Sequence, residues 1–539
     1  MTKLHGGKIL AQRLAMHGVE RVFSVPGESF LAALDGLHDA DIPNIVCRQE
    51  GGAAMMAEAH GKMTGQPGVL FVTRGPGATN ASAGLHIAMH DATPMVCFVG
   101  QIPLKHRDRG VFQEVDYRAF FGPLVKWVAE VERTDRLAEY IDRAFAIAQS
   151  GRPGPVVLAL PEDILSAMTD PPATRPGARA MPSVHPDMIA PFAQMLRQAE
   201  RPLIICGGSH WSDTDRQSAE ALAERTGAPI GVTFRRQDYI NNDHPNYAGD
   251  FGVGMNPALG ARLAESDCIL LLGAELNDIT TGDFTLLDPA KAPAILQVHP
   301  DADAISKTYP ATYAVAAPPS AILHQLIEAI GEHTGDKGAA EARAGYEAWQ
   351  EPQPTPGDVQ MEHVIAWLRD HASPDTIITN GAGNYAAFLH RYYRFRQYGT
   401  QVAPTSGSMG YCLPAAVSAK LQNPQSPVIC LAGDGCLQMT IQELSTARQY
   451  GADITVIVAN NGRYGTIRMH QEKNYPGRVS GTDLFNPDYA TLAKAYGGTG
   501  HTITSNEQFA DAYTATLNGG LHIIELKLDP KMLATTKSL

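Results

Sequence analysis

A chain of 539 residues is too long for one hydrophobic core, so two to four domains are expected. An apolar fraction of 44% and a charged fraction of 18% are those of an ordinary globular protein. A net charge of −13, spread without runs, argues against nucleic acid as the main partner, and no apolar stretch reaches membrane-spanning length. The seven cysteines (47, 97, 206, 268, 412, 430, 436) show no C-x-x-C spacing and lie mostly in apolar runs. They read as reduced core residues, and with no signal-peptide pattern over residues 1–18 a cytoplasmic protein is expected.

Short β-branched runs alternate with longer amphipathic stretches. Strands are predicted at 69–72, 96–99, 156–160, 203–206, 269–272, 295–298, 377–379, 428–431, 454–458 and 523–526. Most are continuous apolar runs, as in parallel sheets buried on both faces. Several end in glycine turns, at Gly100, Gly207-Gly208, Gly273 and Gly381. This rhythm predicts an α/β chain of doubly wound parallel-sheet domains, whose ligands sit at the C-terminal ends of strands. Two segments rich in Pro, Ala, Arg, Glu and Gly, 170–186 and 332–357, read as linkers. They divide the chain into domains 1–170, 187–331 and 358–539.

The most telling segment is 433–461. An apolar run breaks into Gly433-Asp434-Gly435, and a second apolar run ends in Asn460-Asn461. Two parallel strands lying side by side would bring Asp434 and Asn461 together. A carboxylate and an amide oxygen are hard ligands, of the kind Mg²⁺ takes when it keeps phosphates in its shell. The glycines admit a phosphate to backbone N–H groups, and a helix expected to start near Gln438 adds its positive end. Gly-Asp-Gly alone is a common turn; its coupling to Asn-Asn is not.

Elsewhere, Glu50 opens a helix rich in small residues. It stands between Val25-Pro26-Gly27 and the stretch Thr73-Arg74-Gly75-Pro76-Gly77-Ala78-Thr79-Asn80. Gly381-Ala382-Gly383-Asn384-Tyr385-Ala386 after a strand resembles a dinucleotide fingerprint. No acidic residue follows between Asp375 and Asp434, however, so that reading fails and Gly383-Asn384-Tyr385 is a phosphate-contacting turn.

Together these motifs resemble the thiamine diphosphate enzymes, in the branch of acetolactate synthase large subunits. The resemblance implies a pyrimidine-binding, a central and a diphosphate-binding domain, in that order. It implies Mg²⁺ held by Asp434, Asn461 and the backbone carbonyl of Arg463. Cofactor contacts are implied at Pro26, Gly27, Glu50, Thr73, Asn80, Gly383, Asn384, Tyr385, Gly407, Met409, Gly433, Asp434, Gly435, Cys436, Asn461, Tyr464, Gly465 and Thr466. Three residues take catalytic roles. Glu50 would drive the aminopyrimidine to its imino form, a task that suits the apolar setting of Gly51–Met56. Met409 would prop the bent cofactor, and Gln113 would close over the thiazolium.

The implied activity is decarboxylation of a 2-oxo acid with ligation to a second carbonyl. The alternatives are a non-ligating decarboxylase or an acyloin C–C lyase. An obligate homodimer sharing its active sites is also implied; whether dimers pair into a homotetramer stays open. The match weakens at Glu162, where the biosynthetic enzymes carry lysine, and at His470, where they carry tryptophan. It weakens again at Glu275-Leu276-Asn277-Asp278-Ile279, which replaces their flavin motif. The acceptor, and whether FAD or another nucleotide binds the central domain, stay open. Arg74, Arg468 and His470 are candidates for the substrate carboxylate, and His86 and His90 for flanking the substrate.

Overall fold

The computed structural model describes residues 2–178, 180–333 and 335–538. Three six-stranded sheets follow one another along the chain, and every pairing within them is parallel. The first holds Val22–Ser24, Asn44–Val46, Gly68–Val72, Met95–Gln101, Trp127–Glu130 and Pro155–Pro161. Counted in chain order, its strands are arranged 2-1-3-4-6-5. The third sheet repeats that arrangement with Ile377–Asn380, Gln401–Val402, Val428–Gly433, Thr455–Asn460, Thr499–Ile503 and His522–Lys527. The middle sheet runs 3-2-1-4-5-6, starting from Pro202–Cys206. The chain is thus the α/β three-domain architecture expected.

Burial on both faces explains the continuous apolar strands. Leu70, Val72, Cys97 and Val99 point into one core, while Val69, Phe71, Val96 and Phe98 point into another. The first of these cores is shared. It runs from the helix Glu50–Thr64 into the third domain through Leu413, Ala416 and Val417. Domains one and three therefore fold against each other within one chain.

Two expectations are corrected. The helix placed near Gln438 spans Asp434–Gln438 and ends there, because the chain turns into it directly after Gly433. Within the segment taken as a second linker lies the helix Ala339–Trp349. Its run of Ala, Glu and Arg favours a helix, and Tyr346 anchors it edge-on to Tyr247 with ring centroids 5.0 Å apart. Among the described residues no helix is long and apolar enough to cross a membrane.

Candidate active site

The strands Val428–Gly433 and Thr455–Asn460 are neighbours, with Gly433 paired to Ala459, so Asp434 and Asn461 emerge side by side. Asp434 is buried, and its hydrogen-bond partners are uncharged amides. It accepts from the N–H of Gly435 at 2.8 Å, the N–H of Gly462 at 2.9 Å and the Asn486 side chain at 2.8 Å. Burial pushes its carboxyl pKa up, against the pull of these donors. The Asn461 side-chain oxygen accepts from the Arg463 N–H at 3.3 Å, which folds the turn so that three oxygen-bearing residues adjoin.

A cavity of about 200 Å³ opens here. Its lining contains every third-domain residue named from the sequence as a cofactor or metal contact: Gly383, Asn384, Tyr385, Gly407, Met409, Gly433, Asp434, Gly435, Cys436, Asn461, Arg463, Tyr464, Gly465 and Thr466. Gly435 is required by space, since a Cβ would lie 2.5 Å from the Tyr464 ring. Thr466 ties Asn384 in place, accepting its N–H and donating to its side-chain oxygen, both at 3.0 Å. The Tyr385 hydroxyl accepts the Gly381 N–H at 3.0 Å and donates to the Cys436 sulfur at 3.4 Å. Sequence reasoning missed Asn486, which also bonds Asn460, and the C-terminal residues Met532 and Leu533, which line the cavity. The Asn461 amide donates to the Met532 carbonyl at 3.2 Å, and that of Asn384 to the Leu533 carbonyl at 2.6 Å.

No residue of the first domain lines this cavity. The first-domain candidates form their own cluster at the C-terminal edge of the first sheet. Glu50 begins the helix Glu50–Thr64, behind an N-cap at Gln49 whose side chain accepts the Gly52 N–H at 3.1 Å. The Asn80 amide donates to Glu50 at 2.9 Å. A Cβ on Gly77 would lie 2.8 Å from Thr73 and 3.2 Å from the Glu50 carboxylate, and one on Gly27 would lie 2.5 Å from Thr73. Pro26 is exposed beside Gly27. Gln113 packs against Gly75 in a left-handed conformation (φ 65°), with its side-chain oxygen buried and unpartnered among the described residues. A non-glycine residue held there is strained, a common mark of a functional loop.

Other candidates separate from both groups. Arg74 is held by Glu162, with Glu28 at 3.7 Å, and the buried Arg468 by Glu472 at 2.6 Å. Each guanidinium therefore already has a carboxylate. His470 is exposed on the helix Gly465–Asn474. His86 and His90 pack ring against ring, 4.3 Å between centroids, and His90 lines a different space. That space is a crevice of about 830 Å³ beside the ends of the middle sheet's first and fourth strands, lined by Gly208, Gly273, Glu275, Asp278, Arg152 and Arg236. It is the topological switch point of the sheet. No group of three or more His, Cys, Asp or Glu side chains suited to a metal occurs among the described residues. A metal at the anchor would accordingly rely on one carboxylate, one amide and one carbonyl, with phosphate completing its shell.

Three family models match the chain in order. They are the thiamine pyrophosphate enzyme N-terminal TPP binding domain (residues 4–120), central domain (189–326) and C-terminal TPP binding domain (381–526). The chain belongs to the thiamine pyrophosphate enzymes. Within them it stands with the acetolactate synthase large subunits. It is 30% identical to that of Parasynechococcus marenigrum over 94% of this chain and 84% of that protein. It is also 30% identical to acetolactate synthase isozyme 3 large subunit of Escherichia coli, over 98% of this chain and 96% of that protein, and 29% identical to isozyme 2.

Proposed function

We propose that this enzyme binds thiamine diphosphate with Mg²⁺, decarboxylates a 2-oxo acid and joins the remaining fragment to a second carbonyl. The observation that carries the proposal is the cavity wall. Glycine turns at Gly383 and Gly433–Gly435 leave room for a diphosphate, and the Asp434 and Asn461 oxygens with the Arg463 carbonyl would hold the metal beside it. A buried carboxylate with only amide partners fits a site that a divalent cation completes. Bound there, the cofactor supplies an acidic C2 position and an electron sink for the bond that breaks.

The chain's own residues do the rest. Glu50, steadied by Asn80, would hold a proton at N1′ of the aminopyrimidine and so make its amino nitrogen the base. Met409, which lines the cavity, would prop the cofactor, and Gln113, beside Gly75 in the first domain, would close over the thiazolium. Because Glu50 lies outside its own chain's cavity, a working site takes Glu50 from a second copy. Large side chains exposed near the two clusters, such as Phe485 (99% exposed) and Phe112 (76%), are ones that such a homodimer would cover. A nucleotide, if the central domain binds one, would sit in the middle crevice, and the visible spectrum of the purified protein would reveal a flavin.

The test is CO₂ release from a panel of 2-oxo acids, with and without an aldehyde acceptor, on wild type and Glu50→Gln. Ligated product supports the proposal, and free aldehyde alone supports a simple decarboxylase. An acyloin cleaved without 2-oxo acid turnover supports the lyase. No turnover of any of these, with both cofactors supplied, refutes the proposal.

A further inference from the structure

Glu443 follows the metal-anchor turn in the third domain and is fully buried. Its carboxylate reaches into the first domain. It accepts the Arg48 N–H at 3.1 and 3.3 Å and the Gln49 N–H, while the Thr446 hydroxyl donates to it at 2.6 Å. Gly52 leaves the space for it, since a Cβ there would lie 2.7 Å from its oxygen. Two neighbours grip the strand that leads to the same turn. The Tyr450 hydroxyl accepts the Val46 N–H at 2.8 Å and donates to the Asn44 carbonyl at 3.0 Å. The Gln449 side chain accepts from the Arg48 guanidinium at 2.5 Å. Residues 443–450 thus bond the chain at 44, 46, 48 and 49, immediately before Glu50.

A buried carboxylate is costly unless it is well paired. This one spends its hydrogen bonds on two backbone N–H groups that open another domain's helix. The first turn of that helix contains Gly51 and Gly52, whose backbones restrain a neighbour poorly. We propose that Glu443 is a positioning residue for Glu50, fixing the turn from which that carboxylate reaches the aminopyrimidine ring. The proposal rests on the reading of Glu50 given above. It makes the alignment of Glu50 depend on a residue that touches neither cofactor nor substrate.

The experiment follows exchange of the C2 proton of thiamine diphosphate for deuterium in the holoenzyme, by acid quench and NMR. Cofactor affinity and Tm are measured on the same variants. Glu443→Gln is expected to slow exchange on the order of 10²-fold, the cost of a misplaced reacting group, in protein that still binds cofactor normally. Glu443→Asp, which keeps the charge, recovers part of the rate. Should Glu443→Gln not fold, Tyr450→Phe serves, with exchange expected to slow by about threefold. Wild-type exchange in either folded, cofactor-loaded variant overturns the proposal, as does slowing that merely tracks lost cofactor. If Glu50→Gln itself exchanges like wild type, the reading of Glu50 fails and this inference fails with it.

Discussion

The Asn80 amide donates to the Glu50 carboxylate at 2.9 Å, leaving the other carboxylate oxygen facing Gly77. Glu50→Gln removes the proton-holding group and is expected to lower turnover by about 10²–10⁴-fold, the usual worth of a positioned acid or base. Asn80→Ala removes only the steadying bond, so its effect on kcat should be smaller, about tenfold, with cofactor affinity near wild type. Steady-state kinetics on the two variants checks both.

If each site takes Glu50 from one chain and Asp434 from the other, two dead variants complement. Glu50→Gln and Asp434→Ala chains, refolded together in equal amounts, give half mixed dimers, each with one intact site. About a quarter of wild-type activity should return. Activity that stays at the level of the separate variants would place each site within a single chain.

A Cβ on Gly435 would lie 2.5 Å from the Tyr464 ring and 3.0 Å from Leu484. Gly435→Ala should therefore displace the anchor turn at a cost of about 1–3 kcal/mol. Calorimetric titration with thiamine diphosphate and Mg²⁺ is expected to show the loss as weaker binding rather than as a lower Tm of the apoprotein.

Glu162 holds Arg74 in an ion pair. Glu162→Gln removes the closer of the two carboxylates on that guanidinium, which lies on the same sheet edge as Glu50, and leaves Glu28 at 3.7 Å. It should lower KM for anionic 2-oxo acids, by roughly 1 kcal/mol or about fivefold, and leave neutral carbonyl acceptors unaffected. A KM series over both classes decides it.

Asp238 joins the middle domain to the third, its buried carboxylate accepting the N–H groups of Gly399 at 2.9 Å and Gln401 at 3.2 Å. Burial raises its pKa from 3.8 to about 6. Between those values the folded state holds the proton and the unfolded chain does not, so this group's contribution to stability falls as pH rises through that window. The loss is about 3 kcal/mol at most. Asp238→Asn should flatten that slope, so its Tm deficit relative to wild type shrinks between pH 4 and pH 7.

Most interior strands were legible because burial on two faces demands an unbroken apolar run, as at 428–431 and 523–526; the interior Val22–Ser24 and Ile230–Thr233, short and broken by Ser, Gly or Thr, were missed. The edge strands were not legible either. Asn44–Val46, Trp127–Glu130, Tyr247–Phe251, Tyr313–Val315, Gln401–Val402 and Thr499–Ile503 border each sheet, are short or mixed in polarity, and leave no such run. The anchor was readable because its residues cluster in sequence at strand ends. Asn486, Met532 and Leu533 reach it through long-range packing, which local spacing does not encode. The partner of Arg74, Glu162, was hidden for the same reason, whereas that of Arg468, Glu472, lies one helical turn on in the same helix.

The first and third sheets share one unusual order, 2-1-3-4-6-5, while the middle sheet does not. Two sheets of the same order present equivalent strand ends, and each carries one of the two candidate clusters: Glu50 follows the second strand of the first sheet, Asp434 the third strand of the third. The proposed pocket would thus be built from matching edges of two like sheets, one offering a carboxylate and the other a glycine turn.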